Sequence, residues 1–204
     1  MDIVNDPLKS EKKAMKVLET ERLRVRPFTL DDIPDIHREV YTSAQVWGPR
    51  SAEYVTDSVT TAMLMAKSDE LPWAKRAVVL RDGDILIGQV RLSPYHNWTY
   101  RWEGEPDPLF NALEVELSFA FGTAYWGQGY AYEASLAMIA YAFEALCLPR
   151  LVGGTGPDNI RSIRLHRRLG YSVYPAIPLP EHPEWGERVV TVLNNPAIGP
   201  RVSV

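Results

Sequence analysis

The sequence predicts a single α/β domain, and three observations support that fold class. The chain has 204 residues, of which 46% are hydrophobic and 24% charged, an ordinary size and composition for one domain with a well-formed core. Residues 113–121 alternate between apolar and polar side chains, which predicts a half-buried strand, and residues 130–146 have the spacing of a mostly buried helix. Residues 73–81 and 84–92 are β-rich runs separated by Asp82-Gly83, which predicts a hairpin.

The elements before the hairpin are a strand and two helices. Residues 16–27 alternate as a strand that ends at a proline. Thr29 or Asp31 is placed to cap a short helix that runs through about Val40. A second helix is predicted from about residue 52 to residue 67.

The elements after the buried helix are short. A proline ends that helix, and residues 150–155 predict a strand whose two glycines indicate that another backbone or a ligand passes close. Asp158 or Asn159 caps a helix that ends at Gly170. A strand from Tyr171, a proline-rich segment over 175–184 and a final strand over 188–193 complete the domain.

Two stretches show no regular periodicity. Residues 1–15 carry mixed charge and are predicted to be a mobile extension of one domain over 16–204. Residues 93–111 are rich in aromatic side chains and prolines, and loops of that length in compact domains often form lids or partner surfaces. Two interpretations carry equal weight: a wall of an acceptor pocket or of a homodimer contact, and a longer hairpin with a wandering connection.

Composition and charge argue against several classes of function. The single cysteine, Cys147, excludes an internal disulfide and any cysteine-based metal cluster, and its place late in the apolar helix favours a small buried thiol. The four histidines share no ligand-type spacing, so we expect no metal. A net charge of −4 argues against nucleic-acid binding and mildly favours amine substrates. No apolar run approaches membrane-spanning length and no hydrophobic signal region is present, so we expect a cytoplasmic protein without a membrane partner.

A glycine turn joins the central strand to the buried helix. Gly127 and Gly129 bracket Gln128, and the first backbone N–H groups of the helix are unpaired at the positive end of its dipole. Without side chains at the glycines, an anion such as a phosphate can approach this backbone. The glycines could also serve the turn alone. A Rossmann fingerprint would need a third glycine at Tyr132, and the Gly-Lys-Ser/Thr of a P-loop is absent.

The longer context of the turn resembles a known family. Residues 126–131, Trp-Gly-Gln-Gly-Tyr-Ala, resemble the pyrophosphate-binding turn of the GCN5-related N-acetyltransferases, written Gln/Arg-x-x-Gly-x-Gly/Ala. Gly129 and Ala131 match that pattern, while Trp126 replaces the usual Gln/Arg. Residues 125–134 are similar to the branch that contains the ribosomal-protein alanine N-terminal acetyltransferases.

Two further landmarks extend the resemblance over roughly residues 16–193. Residues 18–28, followed by Asp31-Asp32, resemble the opening strand and turn of that branch. Residues 157–171 are similar to its Asn-x-x-Ser-x-x-x-x-x-x-x-Gly-Phe/Tyr helix.

The resemblance implies a fold and an activity. The fold would be a three-layer sandwich in which helices cover both faces of a mostly antiparallel mixed sheet of about six or seven strands, splayed near residues 116–121. The activity would be acetyl-CoA-dependent transfer of an acetyl group to a primary amine, directly within a ternary complex. The acceptor would be a protein N-terminus or a small-molecule amine. The alternative is a non-catalytic acyl-CoA-binding sensor or interaction module on the same fold.

The resemblance also implies which residues bind coenzyme A. Amides of the turn would hold the pyrophosphate, and the end of the central strand would pair its backbone with the pantetheine arm like an added strand. Two polar residues of the later helix would face the thioester. In full, the implied cofactor-binding residues are Phe119, Ala120, Phe121, Trp126, Gly127, Gln128, Gly129, Tyr130, Ala131, Asn159 and Ser162.

Acetyl transfer requires a base for the amine and a proton for the departing thiolate. Glu116 occupies the strand position where the family often keeps a carboxylate base, and Glu114, on the same face, is the alternative. His166 lies where many members carry a tyrosine proposed to protonate the thiolate, and histidine exchanges protons near neutrality. Tyr130, Tyr171 and a water are the other candidate acids. A stripe of Arg161, Arg164 and Arg168 could meet the adenosine phosphate or remain a solvated face.

Overall fold

The computed structural model describes residues 17–42, 48–67, 73–96, 101–102, 113–177 and 187–198. The predicted mobile extension over 1–15 lies outside the described residues, as does most of the aromatic segment 93–111.

The described residues form nine strands and four α-helices. The strands are β1 (Leu18–Glu19), β2 (Leu23–Pro27), β3 (Arg76–Leu80), β4 (Leu86–His96), β5 (Arg101–Trp102), β6 (Leu113–Phe121), β7 (Arg150–Thr155), β8 (Ser172–Ile177) and β9 (Val189–Asn194). The α-helices are α1 (Ile33–Ile36), α2 (Ala52–Lys67), α3 (Tyr130–Ala140) and α4 (Ile160–Arg168). The 3₁₀ turn Leu30–Asp32 precedes α1, and π-helical turns, His37–Tyr41 and Tyr141–Ala145, extend α1 and α3. No helix in the described ranges is long and apolar enough to cross a bilayer.

The strands form one mixed sheet in the order β1-β2-β3-β4-β6-β7-β9-β8-β5. Among the described strands, neighbours pair antiparallel except β6 and β7, which run parallel and share the registered pair Glu116↔Val152. The predicted mostly antiparallel mixed sheet is confirmed. It has nine strands instead of six or seven, because β1 and β5 are two residues long and too short to show an alternating pattern.

Helices cover both faces of the sheet, so the predicted three-layer architecture is confirmed. Odd-numbered residues of β6 pack against α3 in the larger core cluster, as the period-2 pattern requires. Ala120 faces the opposite way, into a second cluster with α1 and α2. The larger cluster includes Val115, Leu117, Phe121, Ala134, Met138 and Ala142, and the second includes Phe28, Ile36, Val40, Val55, Val59 and Ala62.

Of the two predicted caps of the first helical turn, Thr29 is confirmed as the N-cap, and it forms a capping box with Asp32. The Asp32 carboxylate accepts the backbone N–H of Thr29 at 2.7 Å and pairs with the Arg26 guanidinium, so Asp31 is not the cap. One local prediction needs correction. Cys147 is exposed, not buried. The helical turn ends at Ala145, and Cys147 lies beyond it with a φ of 52°, so it no longer shares the buried stripe of the helix.

Candidate active site at the split between β6 and β7

The backbone of β6 faces two different neighbours. The Gly122 N–H donates to the Ile87 carbonyl at 3.0 Å, so the even-numbered residues of β6 bond to β4. Phe119 and Phe121 therefore direct their N–H and C=O groups towards β7, beyond the registered pair at Glu116. We call the gap between β6 and β7 beyond this pair the split. The indole of Trp126 donates to the Phe121 carbonyl at 2.9 Å, so the backbone groups of Phe119 and the Phe121 N–H remain facing the split.

This pattern separates three residues that the sequence grouped together. Phe119 and Phe121 present backbone groups on the side of β6 where an added strand could pair. Ala120 bonds towards β4, and its side chain is 4% exposed in the second core cluster. A backbone contact between Ala120 and a ligand in the split is therefore not available from this geometry.

An ion pair joins β6 to β7 at the end where the two strands are close together. The Arg150 guanidinium donates to both carboxylate oxygens of Glu114, with Nε 2.9 Å from each, and the Glu114 residue is 4% exposed. Because Arg150 occupies both oxygens, Glu114 ties the start of β6 to the start of β7 and does not present a free carboxylate to a substrate.

Glu116 lies two residues further along, at the registered pair between the strands. Its partial burial raises the pKa of the carboxyl, and the backbone N–H of Gly154 and the charges of Arg91 and Arg188 oppose that shift. A raised pKa makes a carboxylate a stronger proton acceptor. Of the two candidate bases, Glu116 is the one whose environment suits proton transfer.

The glycine turn has the geometry of an anion cradle. Gly127 and Gly129 have φ values of 75° and 84°, which L-residues with side chains rarely adopt. Gly129 is the N-cap of α3 and offers no capping side chain, so the first amides of the helix remain available to an external acceptor. The side chain of Gln128 points elsewhere, since its Nε2 donates to the Ala124 carbonyl at 2.8 Å. This geometry suits an anion such as a diphosphate.

Two arginines of the predicted stripe pack against the turn. The Arg161 guanidinium lies 4.7 Å from the ring of Trp126, and the Arg168 guanidinium lies 4.1 Å from the ring of Tyr132. Arg164 is exposed. A cavity of about 440 Å³ borders the same turn; its lining residues are Glu21, Arg22, Gly127, Gln128, Gly129, Tyr132, Glu133, Leu136 and Arg168.

The helix α4 brings together the three polar residues that share one face. The Asn159 side chain caps the helix by accepting the Ser162 N–H at 3.2 Å. His166 Nδ1 lies 2.9 Å from the Ser162 carbonyl, which can only accept, so Nδ1 carries the proton and Nε2 has the lone pair. His166 is 3% exposed, and that burial lowers its pKa.

A buried polar cluster surrounds the imidazole. A Cβ added at Gly153 would lie 2.8 Å from His166 Nε2 and 2.7 Å from Thr191 Oγ1, so these side chains explain the glycine that the sequence singled out. His166 also contacts the rings of Phe119 and Tyr171, with centroids 5.5 and 5.0 Å away. His166 Nε2, Thr191 Oγ1 and Tyr171 Oη are buried without a hydrogen-bond partner among the described residues.

Sequence reasoning did not identify Arg22 and Glu133, which line the cavity beside the turn. Both lie inside the segments that carried the family resemblance, Arg22 in residues 18–28 and Glu133 in residues 125–134. Their pairing could not be read because it joins positions 111 residues apart in the chain.

Known proteins share this architecture. A family model for the acetyltransferase (GNAT) domain matches residues 22–172. An uncharacterized N-acetyltransferase of Bacillus subtilis, YnaD, is 28% identical over 155 residues, covering 74% of this chain and 79% of the relative.

Solved structures show the same fold. A putative ribosomal-protein-serine acetyltransferase from Vibrio cholerae superposes with a TM-score of 0.65 at 24% identity, covering 89% of this chain and 98% of that chain. A ribosomal L7/L12 alpha-N-protein acetyltransferase in complex with coenzyme A superposes with a TM-score of 0.62 at 12% identity, covering 90% of this chain and 100% of that chain. With the family model matching most of its length, this chain belongs to the GNAT acetyltransferase family.

Proposed function

We propose that the protein transfers an acetyl group from acetyl-CoA directly to a primary amine within a ternary complex. One observation carries the proposal: the unpaired backbone edge of β6 has the Glu116 carboxylate, with its raised pKa, at one end and leads at the other end to the uncapped start of α3 at Gly129. A donor anchored at the turn and running along that edge would bring its thioester towards Glu116.

Coenzyme A would be held by backbone groups at two places. The amides from Gln128 to Ala131 would bind the pyrophosphate, and the groups of Phe119 and Phe121 that face the split would pair with the pantetheine arm. Trp126 supports this edge through its bond to the Phe121 carbonyl. Asn159 and Ser162 would border the arm from the start of α4, although the Asn159 oxygen already caps that helix.

Glu116 would remove a proton from the attacking amine, directly or through a water. The neutral nitrogen then forms its bond to the acetyl carbon, and the carbon–sulfur bond breaks with the electron pair leaving on sulfur. The nitrogen, positively charged after the attack, loses its second proton to water, which leaves a neutral amide. A hydrogen bond from the Gly154 N–H would hold the Glu116 carboxylate beside the point where β6 and β7 separate.

The thiolate must be stabilised as it leaves, and Tyr171 suits this role better than His166. The lowered pKa of His166 keeps the imidazole neutral, and its Nδ1 proton is committed to the Ser162 carbonyl, so Nε2 accepts a proton instead of donating one. Burial and the charge of Glu116 raise the pKa of Tyr171, so its hydroxyl stays protonated and is a weaker acid than the thiol. We therefore assign to Tyr171 a hydrogen bond to the departing thiolate, which takes its proton from water, and to His166 the support of the Tyr171 ring.

A protein N-terminus is the acceptor class that we favour. Two structural neighbours, the Vibrio cholerae protein and the L7/L12 enzyme, are described as ribosomal-protein acetyltransferases. The net charge of −4 is compatible with a cationic amine, whether on a peptide or on a small molecule.

The test is release of coenzyme A, measured with a thiol reagent across a panel of N-terminal peptides and small amines. Wild-type protein and Glu116→Gln are compared, with Glu53→Gln on the exposed surface of α2 as the control. We expect amine-dependent release that falls at least a hundredfold in Glu116→Gln and is unchanged in the control. Tight coenzyme A binding without release for any amine would support the alternative, a non-catalytic acyl-CoA sensor.

A further inference from the structure

Arg22, just before β2, is attached to the first turn of α3. Its Nε and Nη2 both lie 2.7 Å from Glu133 Oε2, and its backbone N–H donates to Oε1 at 2.8 Å. The Thr20 hydroxyl donates to the same Oε1 at 2.6 Å. Partial burial alone would raise the pKa of Glu133, but these hydrogen bonds hold it below its usual value, so the carboxylate stays charged.

The same guanidinium reaches across the glycine turn. Arg22 Nη1 donates to the Gln128 carbonyl at 3.0 Å, and the guanidinium lies 4.6 Å from the ring of Tyr130. A Cβ added at Gly129 would lie 3.3 Å from Arg22 Nη2. Arg22 therefore contacts the turn through the Gln128 carbonyl, and Glu133 holds the guanidinium in place there.

A hydrogen bond to one carbonyl orients the next amide. The Gln128–Gly129 peptide is trans, like every peptide bond in the described chain, so its C=O and N–H point in opposite directions. When Arg22 draws the Gln128 carbonyl towards itself, the Gly129 N–H must point away from the guanidinium. A diphosphate bound on that side would meet this N–H together with the uncapped start of α3.

We propose that Arg22, fixed by Glu133, is a positioning residue that aims the Gly129 amide at the diphosphate of coenzyme A without contacting the acetyl group. This inference rests on the proposed function, because it names the residues that pre-shape its donor site. The planar fork of arginine is required: it binds the Glu133 carboxylate through two nitrogens and the Gln128 carbonyl through the third, which a lysine ammonium cannot reproduce.

The experiment measures coenzyme A affinity by isothermal titration calorimetry for wild type, Arg22→Lys, Glu133→Gln and the double variant. Arg24→Lys is the matched control, since Arg24 lies two residues further along and pairs at the surface with Glu19 and Asp84. Thermal unfolding of each variant verifies folding. Steady-state kinetics with the best amine of the panel then separate the KM for acetyl-CoA from kcat.

We expect Arg22→Lys and Glu133→Gln each to weaken coenzyme A binding about tenfold, the loss of one charge-assisted hydrogen bond. The KM for acetyl-CoA rises by the same factor, while kcat changes less than twofold and Arg24→Lys matches wild type. The double variant should lose no more than either single variant, because both act through one peptide group.

Three results would overturn the inference. Arg22→Lys binding as tightly as wild type would mean that positive charge alone suffices. Additive losses in the double variant would mean that Glu133 does not act through Arg22. Equal falls in kcat and in affinity would indicate a general disturbance of the fold. Failure of the wild-type protein to bind coenzyme A would instead refute the proposed function, and the inference with it.

Discussion

Replacement of Gly129 by alanine tests the anion cradle most directly. Gly129 has a φ of 84°, and an L-residue in that left-handed region costs about 1–2 kcal/mol. The added Cβ would also lie 3.3 Å from Arg22 Nη2, so the guanidinium must shift by a few tenths of an ångström from the Gln128 carbonyl. In a chain of this length we expect the unfolding midpoint to fall by about 2–8 °C.

Gly83 provides a control for backbone strain. It has a φ of 78° in the hairpin between β3 and β4, and a Cβ there would make ordinary contacts, 3.5 Å from Ile85. Gly83→Ala should therefore lower the unfolding midpoint by a similar amount and leave coenzyme A affinity intact. Gly129→Ala should weaken that affinity at least tenfold, because the strain at the left-handed φ and the shift of Arg22 both turn the Gly129 amide away from the diphosphate.

The assay combines thermal unfolding with calorimetric titration of coenzyme A. If Gly129→Ala lost stability but bound coenzyme A as tightly as Gly83→Ala, the turn would serve only to connect β6 to α3. The assignment of the diphosphate to Gln128–Ala131 would then be refuted, even though the family membership would stand.

Three further predictions concern the interior of the site. In Glu116→Gln, the rise of kcat/KM that follows deprotonation of the Glu116 carboxyl should disappear, because a base of raised pKa works only when deprotonated. The free energy of unfolding should show the opposite dependence on pH, because the native carboxyl binds its proton more tightly than the unfolded chain does. Wild type should therefore lose stability as pH rises through that raised pKa while the variant does not, as urea unfolding at pH 5 and pH 8 would show. His166→Gln should lose less unfolding free energy than wild type as pH falls below 6.5, the usual histidine pKa, because the lowered native pKa of His166 means that the unfolded chain binds the proton first. Identical curves of stability against pH for the two proteins would contradict a buried neutral imidazole. Gly153→Ala should cost about 1–3 kcal/mol of unfolding free energy, because its methyl group would collide with His166 and Thr191, while Gly156→Ala, with open space at its Cβ, should cost far less; equal urea midpoints would refute that packing.

The general fold and the approximate place of the site were predictable because their signals are local. Alternation along β6, apolar spacing along α3 and the left-handed glycines of the turn each depend on residues close in the chain. The family resemblance added the three-layer architecture, which the family model and the solved structures confirm. Strand number was wrong by two short strands, since two residues cannot establish a period.

The contacts that assign roles within the site could not be predicted in the same way. Glu114 and Glu116 look equivalent on the strand, and only the position of Arg150 on β7 separates a clamped carboxylate from an available one. His166 has the expected spacing from Asn159, but its burial and its bond to the Ser162 carbonyl depend on how α4 packs against β7.

The sequence by itself determined an α/β domain, a glycine turn that begins a buried helix, and an acidic residue on the strand before it, because each follows from short-range geometry of the chain. The GNAT fold followed from the resemblance of its motifs to that family. Only the tertiary structure decided that Arg22 reaches Glu133 and the Gln128 carbonyl, that the Glu114 carboxylate is paired with Arg150, and that Gly153 leaves space for the His166 ring. These contacts join residues distant in the chain, and their partners are chosen by the packing of strands and helices, which no local pattern records.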